Sequence, residues 1–304
     1  PRLALAGGDP AVTHLLAWAD GQSAHLVAYA QRDAAGESAE LLVAPASRRQ
    51  GLAGAMIAAL SEGHPGLRWW AHGDLPAARA TADALGFSPV RELWEMAAQR
   101  PAQGTLEDNR TASVQPATPA PAPGGHTIRR FQPGRDEDAW VELNAIAFAD
   151  HPEQGKLTRT DLATRMAQDW FDPDGFFLLE APGGSLVGYI WTKVERRLPG
   201  PGPQSQTQAE AASPLEGEVY AIGLHPTAQG RRLGTALLEH GLNYLAGGGI
   251  GHLVLYVEAD NAPAIAAYRH QGFQVRQRHV QYARDPEPAG PDPGEDQDLD
   301  QDDI

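Results

Sequence analysis

From 234 to 246 the apolar residues recur at helical spacing, and Leu237, Leu238, Leu242 and Leu245 form one stripe. From 252 to 258 the pattern becomes an alternation, Leu253, Leu255 and Val257 against Val254, Tyr256 and Glu258, which is the period of a strand. Read in this way, the second half predicts strands over 126–132, 176–182, 186–195, 218–224, 252–258 and 273–283. It predicts helices over 136–149, 158–171, 234–246 and 262–271. Asn261 is a capping residue type ahead of the last helix, and Pro263 stands in its first turn, where a missing N–H is tolerated. The order β-α-α-β-β-β-α-β-α-β belongs to a mixed α/β layer fold.

The first half repeats part of this pattern. LLVAPASRRQGLAGAMIAAL (41–60) matches AIGLHPTAQGRRLGTALLEH (221–240) with a shift of one residue that puts Pro45 over Pro226. AHGDLPAARATADALGF (71–87) lies over VEADNAPAIAAYRHQGF (257–273), with Gly86-Phe87 over Gly272-Phe273. Two matching blocks in the same order imply duplication of a whole domain. The first copy begins almost at once with strands near 13–19, 25–31 and 39–44, so it is expected to lack the opening strand and helix pair.

Composition marks the borders. Residues 101–125 are Pro- and Ala-rich with little to bury, as expected of a linker between a domain at 1–100 and one at 126–284. Residues 199–217 interrupt a strand pattern as a long exposed loop. The tail 285–304 carries nine acidic residues and no Lys or Arg, and disorder is expected there. The net charge is −15, and removing those nine charges leaves −6, a poor surface for nucleic acid. There is no cysteine, which excludes disulfides, thiolate metal sites and a cysteine nucleophile. The 11 histidines show no zinc spacing, with His151, His225 and His252 in loop or turn contexts, so no metal is expected. No uncharged apolar run reaches the roughly 18 residues of a membrane span, and no signal-peptide pattern is present. A cytoplasmic monomer is the expectation. Trp69-Trp70 are expected to pack in a core or between domains.

The chemistry concentrates in a strand, a tight loop and a helix, from Glu218 to Leu224, through His225–Arg232, into Leu233 onward. A loop entering a helix N-terminus offers free backbone N–H groups and the positive end of the helix dipole, both suited to a pyrophosphate. Arg231 and Arg232 can add charge-assisted contacts. The segment Gln229-Gly230-Arg231-Arg232-Leu233-Gly234 resembles the acetyl-CoA loop of the GCN5-related N-acetyltransferases (GNAT), Gln/Arg-x-x-Gly-x-Gly/Ala. The first copy matches it fully as Arg48-Arg49-Gln50-Gly51-Leu52-Ala53, whereas the second has Arg232 where the family prefers glycine. Asn-x-x-Ala-x-x-x-Tyr from Asn261 to Tyr268 and the closing Gly272-Phe273 are characteristic of the same family. HPEQG (151–155), DWFDPDGFF (169–177), WTKV (191–194), GEVYAIGLHP (217–226) and LYVEADN (255–261) resemble the tandem-GNAT mycothiol synthase family more narrowly.

The resemblance implies an α/β protein of two tandem GNAT-type domains with mixed, mostly antiparallel central sheets. It implies acetyl-CoA as co-substrate, with no metal, and a small thiol-sugar amine as acceptor. It places the co-substrate on Ile222, Gly223 and Leu224, on Gln229, Gly230, Arg231, Arg232, Leu233, Gly234 and Thr235, and on Asn261, Ala262, Pro263, Ala264, Ile265 and Ala266. In the first copy the matching positions are Leu41, Leu42 and Val43 with Arg49, Gln50, Gly51, Leu52, Ala53 and Gly54. An amine acceptor is largely protonated at neutral pH and must lose a proton before it attacks. Glu218 is the implied base and also a substrate contact, and Tyr268 is the implied acid for the leaving thiolate. On position alone Glu218 reads first as a solvated strand-end carboxylate and Tyr268 as a packing tyrosine, and it is the resemblance that gives them these roles. The first copy has Ala82 at the position of Tyr268. Glu153, Lys193 and Tyr256 are the implied substrate contacts, each by itself an ordinary surface residue. Two other readings stand beside this one: a GNAT enzyme acting on a protein N-terminus or another small amine, and a non-catalytic acyl-CoA-binding regulator.

Overall fold

The computed structural model describes residues 2–6, 12–19, 25–105, 120–149, 151, 154–196 and 215–284. They divide into two compact units. The first comprises Pro1–Leu93, Glu258–Asp260 and Gln277–Ile304, and the second Trp94–Val257 and Asn261–Arg276.

The second unit carries β7 (Ala120–Ala122), β8 (His126–Arg130), α3 (Glu137–Ala147), α4 (Arg159–Met166), β9 (Phe176–Glu180), β10 (Leu186–Arg196), β11 (Leu215–Leu224), α5 (Leu233–Gly247), β12 (His252–Glu258) and α6 (Ala262–His270). The end of β6 (Ser88–Gln99) completes its sheet, in the order β6-β12-β11-β10-β9-β8-β7. β10 runs antiparallel to β9 and to β11, while β11 runs parallel to β12. Leu237, Leu238, Leu242 and Leu245 are all buried, so the helical stripe does face the sheet. Behind β10 lies an aromatic core: Trp140, Phe176, Tyr189 and Trp191 are fully buried, with the Phe176 and Trp191 rings stacked at 4.5 Å.

Elements expected from periodicity recur here with ends shifted by a few residues. α4 differs most, closing at Met166 rather than near 171. The chain leaves the helix to bring Trp170 and Phe171 onto Trp191, each 5.7 Å from it between ring centroids. β7 lies inside the stretch expected to be linker, pairing antiparallel with β8. His252 opens β12, opposite Glu216, rather than standing in a loop.

The first unit orders its strands β1-β2-β3-β4-β5-β13, from β1 (Arg2–Ala6), β2 (Thr13–Trp18), β3 (Leu26–Arg32), β4 (Ser38–Val43), β5 (Arg68–His72) and the end of β13 (Gln274–Ala283). α1 (Leu52–Ser61) and α2 (Pro76–Ala84) complete it. The opening strand that the sequence reading omits is present as β1, paired with β2. Only six residues separate β1 from β2, so the opening helix pair has no room there. Trp69 sits in this unit's core, and Trp70 lies under the Arg91 guanidinium at 5.3 Å.

The units do not end where the low-complexity stretches suggest. Met96 and Ala98 of β6 belong to the second unit's core, and Val280 and Tyr282 of β13 to the first unit's. A cut between 100 and 126 therefore removes a strand from the second sheet. Of the exposed loop expected over 199–217, residues 199–214 lie outside the described residues and 215–217 open β11 instead; the tail 285–304 also lies outside them.

Candidate active site

β11 separates from its parallel neighbour halfway along. Its pairing with β12 runs from Glu216↔His252 to Val219↔Leu255 and stops, while β10 follows it on to Leu224. At the same point the β10 register slips, Trp191 facing Ala221 and Thr192 facing Val219, so Tyr220 is a bulged residue. Past Val219 the edge of β11 that faced β12 is open among the described residues. That edge carries Ile222, Gly223 and Leu224. Gly223 must be glycine: a Cβ there would stand 2.7 Å from Tyr189 and 2.9 Å from Phe148.

The loop after β11 turns twice through the left-handed region, at Gly230 (φ 73°) and at Arg232 (φ 62°), the residue that opens α5. The first unit does the same at the matching positions, Arg49 (φ 62°) and Gly51 (φ 78°). Each copy thus uses one glycine and one arginine for the same pair of turns, in opposite order. This is why Arg232 fits where a glycine is preferred: the loop keeps its shape and bears the cost of one non-glycine residue at positive φ, roughly 1–2 kcal/mol. Arg232→Gly is expected to raise unfolding stability by about 1 kcal/mol, read by chemical denaturation. An unchanged midpoint would show that the arginine makes up its strain elsewhere.

In the first unit, too, the parallel pairing stops early, at Glu40↔Trp70, leaving Leu41, Leu42 and Val43 beyond it. The copies part in two respects. β3 and β4 pair without a register shift, so the bulge belongs to the second copy alone. Ala82 is buried where the second copy has Tyr268.

Glu218 lies just before the separation. Its Cα partners are Lys193 on β10 and Val254 on β12. Lys193 Nζ is 2.9 Å from Glu195 Oε2 and 3.9 Å from Glu218 Oε2, and it lies over the Trp170 ring at 5.0 Å. Burial raises the Glu218 carboxyl above its ordinary value; Lys193 opposes the rise, and Glu195, Glu216 and Glu95 add to it. A carboxylate tuned upward in this way holds a proton more readily than a solvated one, as a general base should.

Tyr268 lies on α6, which Asn261 caps by accepting from the Ala264 N–H at 3.1 Å. Tyr268 is 7% exposed and meets Phe273 edge-on. Burial pushes its hydroxyl up to about 12, so it stays protonated at neutral pH. No hydrogen bond engages that hydroxyl among the described residues, which leaves it available as a donor. Tyr256 projects from β12 and donates to Glu95 Oε2 at 3.2 Å. Arg276 pairs with Glu95 and, at 2.6 Å, with Glu216 Oε2. Glu95 and Arg276 escaped the sequence reading because 181 residues separate them and neither stands in a recognisable motif.

Glu153 lies outside the described residues. Its neighbour Gln154 is anchored firmly. The Asn144 side chain donates to Gln154 O at 2.6 Å, and the buried Tyr189 hydroxyl donates to Asn144 Oδ1 at 2.6 Å. Among the described residues no group of acidic and histidine side chains is arranged to hold a metal, and no helix is long and apolar enough to cross a membrane.

The acetyltransferase (GNAT) family model matches residues 140–273. A mycothiol acetyltransferase of Catenulispora acidiphila is 46% identical over 270 residues, spanning 86% of this chain and 78% of its own. That of Acidothermus cellulolyticus is 45% identical, over 88% and 79% of the two chains. The chain belongs to the mycothiol acetyltransferase family. Two solved structures support the same architecture for the fold alone. A GCN5-related N-acetyltransferase from Sphaerobacter thermophilus aligns over 89% of this chain and 79% of its own, at a TM-score of 0.62 and 21% identity. A tandem GNAT protein of the clavulanic acid biosynthesis pathway aligns over 93% and 86%, at 0.59 and 18%. As a mycothiol acetyltransferase family member, the chain is a GNAT N-acetyltransferase, and the open edge of β11, the loop into α5 and the Glu218–Lys193 pair lie in the part of it that the GNAT model matches.

Proposed function

We propose that this chain transfers the acetyl group of acetyl-CoA to the cysteinyl amine of desacetyl-mycothiol, releasing mycothiol and CoA. One observation carries the assignment of the base: Glu218, with its raised carboxyl, stands beside Lys193 at the point where β11 leaves β12. In this reading Glu218 accepts a proton from the ammonium, directly or through water. The freed amine attacks the acetyl carbonyl carbon, and a C–N bond forms as the carbonyl oxygen takes up charge. Backbone N–H groups of the open β11 edge, at Ile222 to Leu224, stabilise that oxyanion. The attacking nitrogen then gives up its second proton to solvent and the C–S bond breaks as the carbonyl re-forms; Tyr268 gives its proton to the departing sulfur, and solvent takes the proton from Glu218 and returns one to Tyr268. The loop Gln229–Thr235 and the first turn of α6, Asn261–Ala266, hold the pyrophosphate and pantetheine arm. Glu153, Lys193, Glu218 and Tyr256 contact the acceptor.

The first unit, in this reading, keeps a CoA site without turnover. Its loop has the same two left-handed turns and its strands the same early separation, but it lacks the bulge and the tyrosine. Calorimetry on the full chain is expected to find two CoA sites, the weaker abolished by Gly51→Asp. A single site untouched by that substitution would remove the first unit from the account.

Turnover of acetyl-CoA by the full chain against desacetyl-mycothiol, N-terminal peptides and simple amines tests the function. The expected result is a marked preference for the cysteinyl amine. Preference for a peptide would make the chain a different GNAT, and CoA binding without any turnover would make it a regulator.

A further inference from the structure

A row of charged groups crosses the second unit's sheet on the face that carries Glu218. β11 contributes Glu216 two residues before it, and side chains two apart on a strand point to the same side. On β10, Glu195 is the Cα partner of Glu216, and Lys193 that of Glu218. β12 places His252 opposite Glu216 and brings up Tyr256 four residues later. β6 adds the buried Glu95, which accepts from the Tyr256 hydroxyl at 3.2 Å. From α4, Arg165 donates to the Tyr220 hydroxyl at 3.0 Å. Four carboxylates are thus gathered here: Glu95, Glu195, Glu216 and Glu218. Two cations answer them. Lys193 lies 2.9 Å from Glu195 and 3.9 Å from Glu218. Arg276 takes the other two: Nη1 and Nη2 lie 2.6 and 3.3 Å from the Glu216 oxygens, and Nε pairs with Glu95 Oε1. A guanidinium presents its donors in a fixed fork, so one arginine can hold two carboxylates at once.

We propose that Arg276 is a positioning residue for the reaction, holding Glu216 and Glu95 as ion pairs so that their negative charge does not fall on Glu218. The inference rests on Glu218 as the base. A base must be ionised when the acceptor ammonium arrives. Burial works against that most strongly, and Glu195, Glu216 and Glu95 add to it. Lys193 opposes them but is shared, and it stands closer to Glu195 than to Glu218. Arg276 removes the remaining two like charges from the balance. Tyr256 does not contribute a third. Burial, then Glu95 and Glu218, raise its hydroxyl above the ordinary tyrosine value, so it stays neutral and serves Glu95 as a donor. In this way a residue on β13 reaches the base through the two carboxylates it holds.

The experiment is the pH profile of kcat/KM for acetyl transfer to desacetyl-mycothiol. It uses the full-length wild-type chain, Arg276→Gln, Arg276→Lys, Glu216→Gln and, as a control, Glu218→Gln. Arg276→Gln takes the cation from Glu216 and Glu95. Its acid limb is expected to move up by about one pH unit, with activity lost near neutral pH and regained on the alkaline side. Arg276→Lys keeps the charge and should return most of that shift. Glu216→Gln removes a like charge, so its limb should move down. Damage to the fold lowers a profile at every pH without moving its limb, and it cannot move two limbs in opposite senses. An acid limb at the wild-type position in both Arg276→Gln and Glu216→Gln overturns the role of Arg276 and leaves the base in place. Should Arg276→Gln fail to fold, Glu216→Gln decides by the same criterion. A wild-type acid limb in Glu218→Gln removes the base, and the role of Arg276 with it.

Discussion

Glu218→Gln is expected to lower kcat/KM near neutral pH by about 10²–10⁴, the usual worth of a general base. The amide keeps the size and polarity of the side chain but cannot take the proton from the acceptor ammonium. The loss should shrink as pH rises, because the amine then sheds its proton unaided. In the wild type the acid limb of the profile should lie above the ordinary carboxylate range, since burial raises Glu218 more than Lys193 lowers it. The sign for stability is opposite to that for activity. A carboxyl raised by folding favours the folded state below its unfolded value, and that contribution is lost as pH rises through the folded value. Glu218→Gln removes the titration, so the variant should be at least as stable as the wild type at neutral pH while nearly inactive. Wild-type turnover with an unshifted acid limb would remove Glu218 from the role.

Tyr268→Phe is expected to lower kcat by about 10–100-fold, less than the loss of the base, because a thiolate is already a tolerable leaving group near its pKa. The change is conservative in packing. The ring keeps its buried place and its edge contact with Phe273, and its hydroxyl engages no partner among the described residues that would be orphaned. Folding stability should therefore change by no more than about 0.5 kcal/mol. CoA affinity should be retained, since the phosphate loop and the Asn261 cap are untouched. Steady-state kinetics and a separate CoA titration distinguish the outcomes. Undiminished kcat would make Tyr268 a packing residue, and lost CoA binding would make it a structural one.

Hydrophobic periodicity carries most of the second unit because its helices and strands bury one clean face each. The α5 stripe and the alternation of β12 are read directly, and the α6 cap follows from one residue, Asn261. What the sequence conceals is geometry made by departures from periodicity. GEVYAIGL gives a continuous strand pattern, yet β11 carries a bulge at Tyr220 and parts from β12 at Val219. The turn after α4 has helical composition, and only the pull of Trp170 and Phe171 onto Trp191 ends the helix early. β1 and β7 are short edge strands of five and three residues, too brief for a period to declare itself. The triangle of Glu95, Arg276 and Tyr256 comes from three strands far apart in the chain, and no local pattern could join them. The loop residue Arg232 is the reverse case. Its mismatch to the family motif is visible in the sequence, and its left-handed backbone shows why the motif asks for glycine there.

The central claim is that the acetyl group passes to nitrogen on an acceptor that also carries a sulfur nucleophile. The most direct measurement is the position of the acetyl group in the product formed by the full chain from acetyl-CoA and desacetyl-mycothiol, determined by mass spectrometry after selective thiol labelling. The account predicts an amide that retains its free thiol, formed in equal amount to the CoA released. A thioester product, or CoA release with no acetylated acceptor, would contradict it.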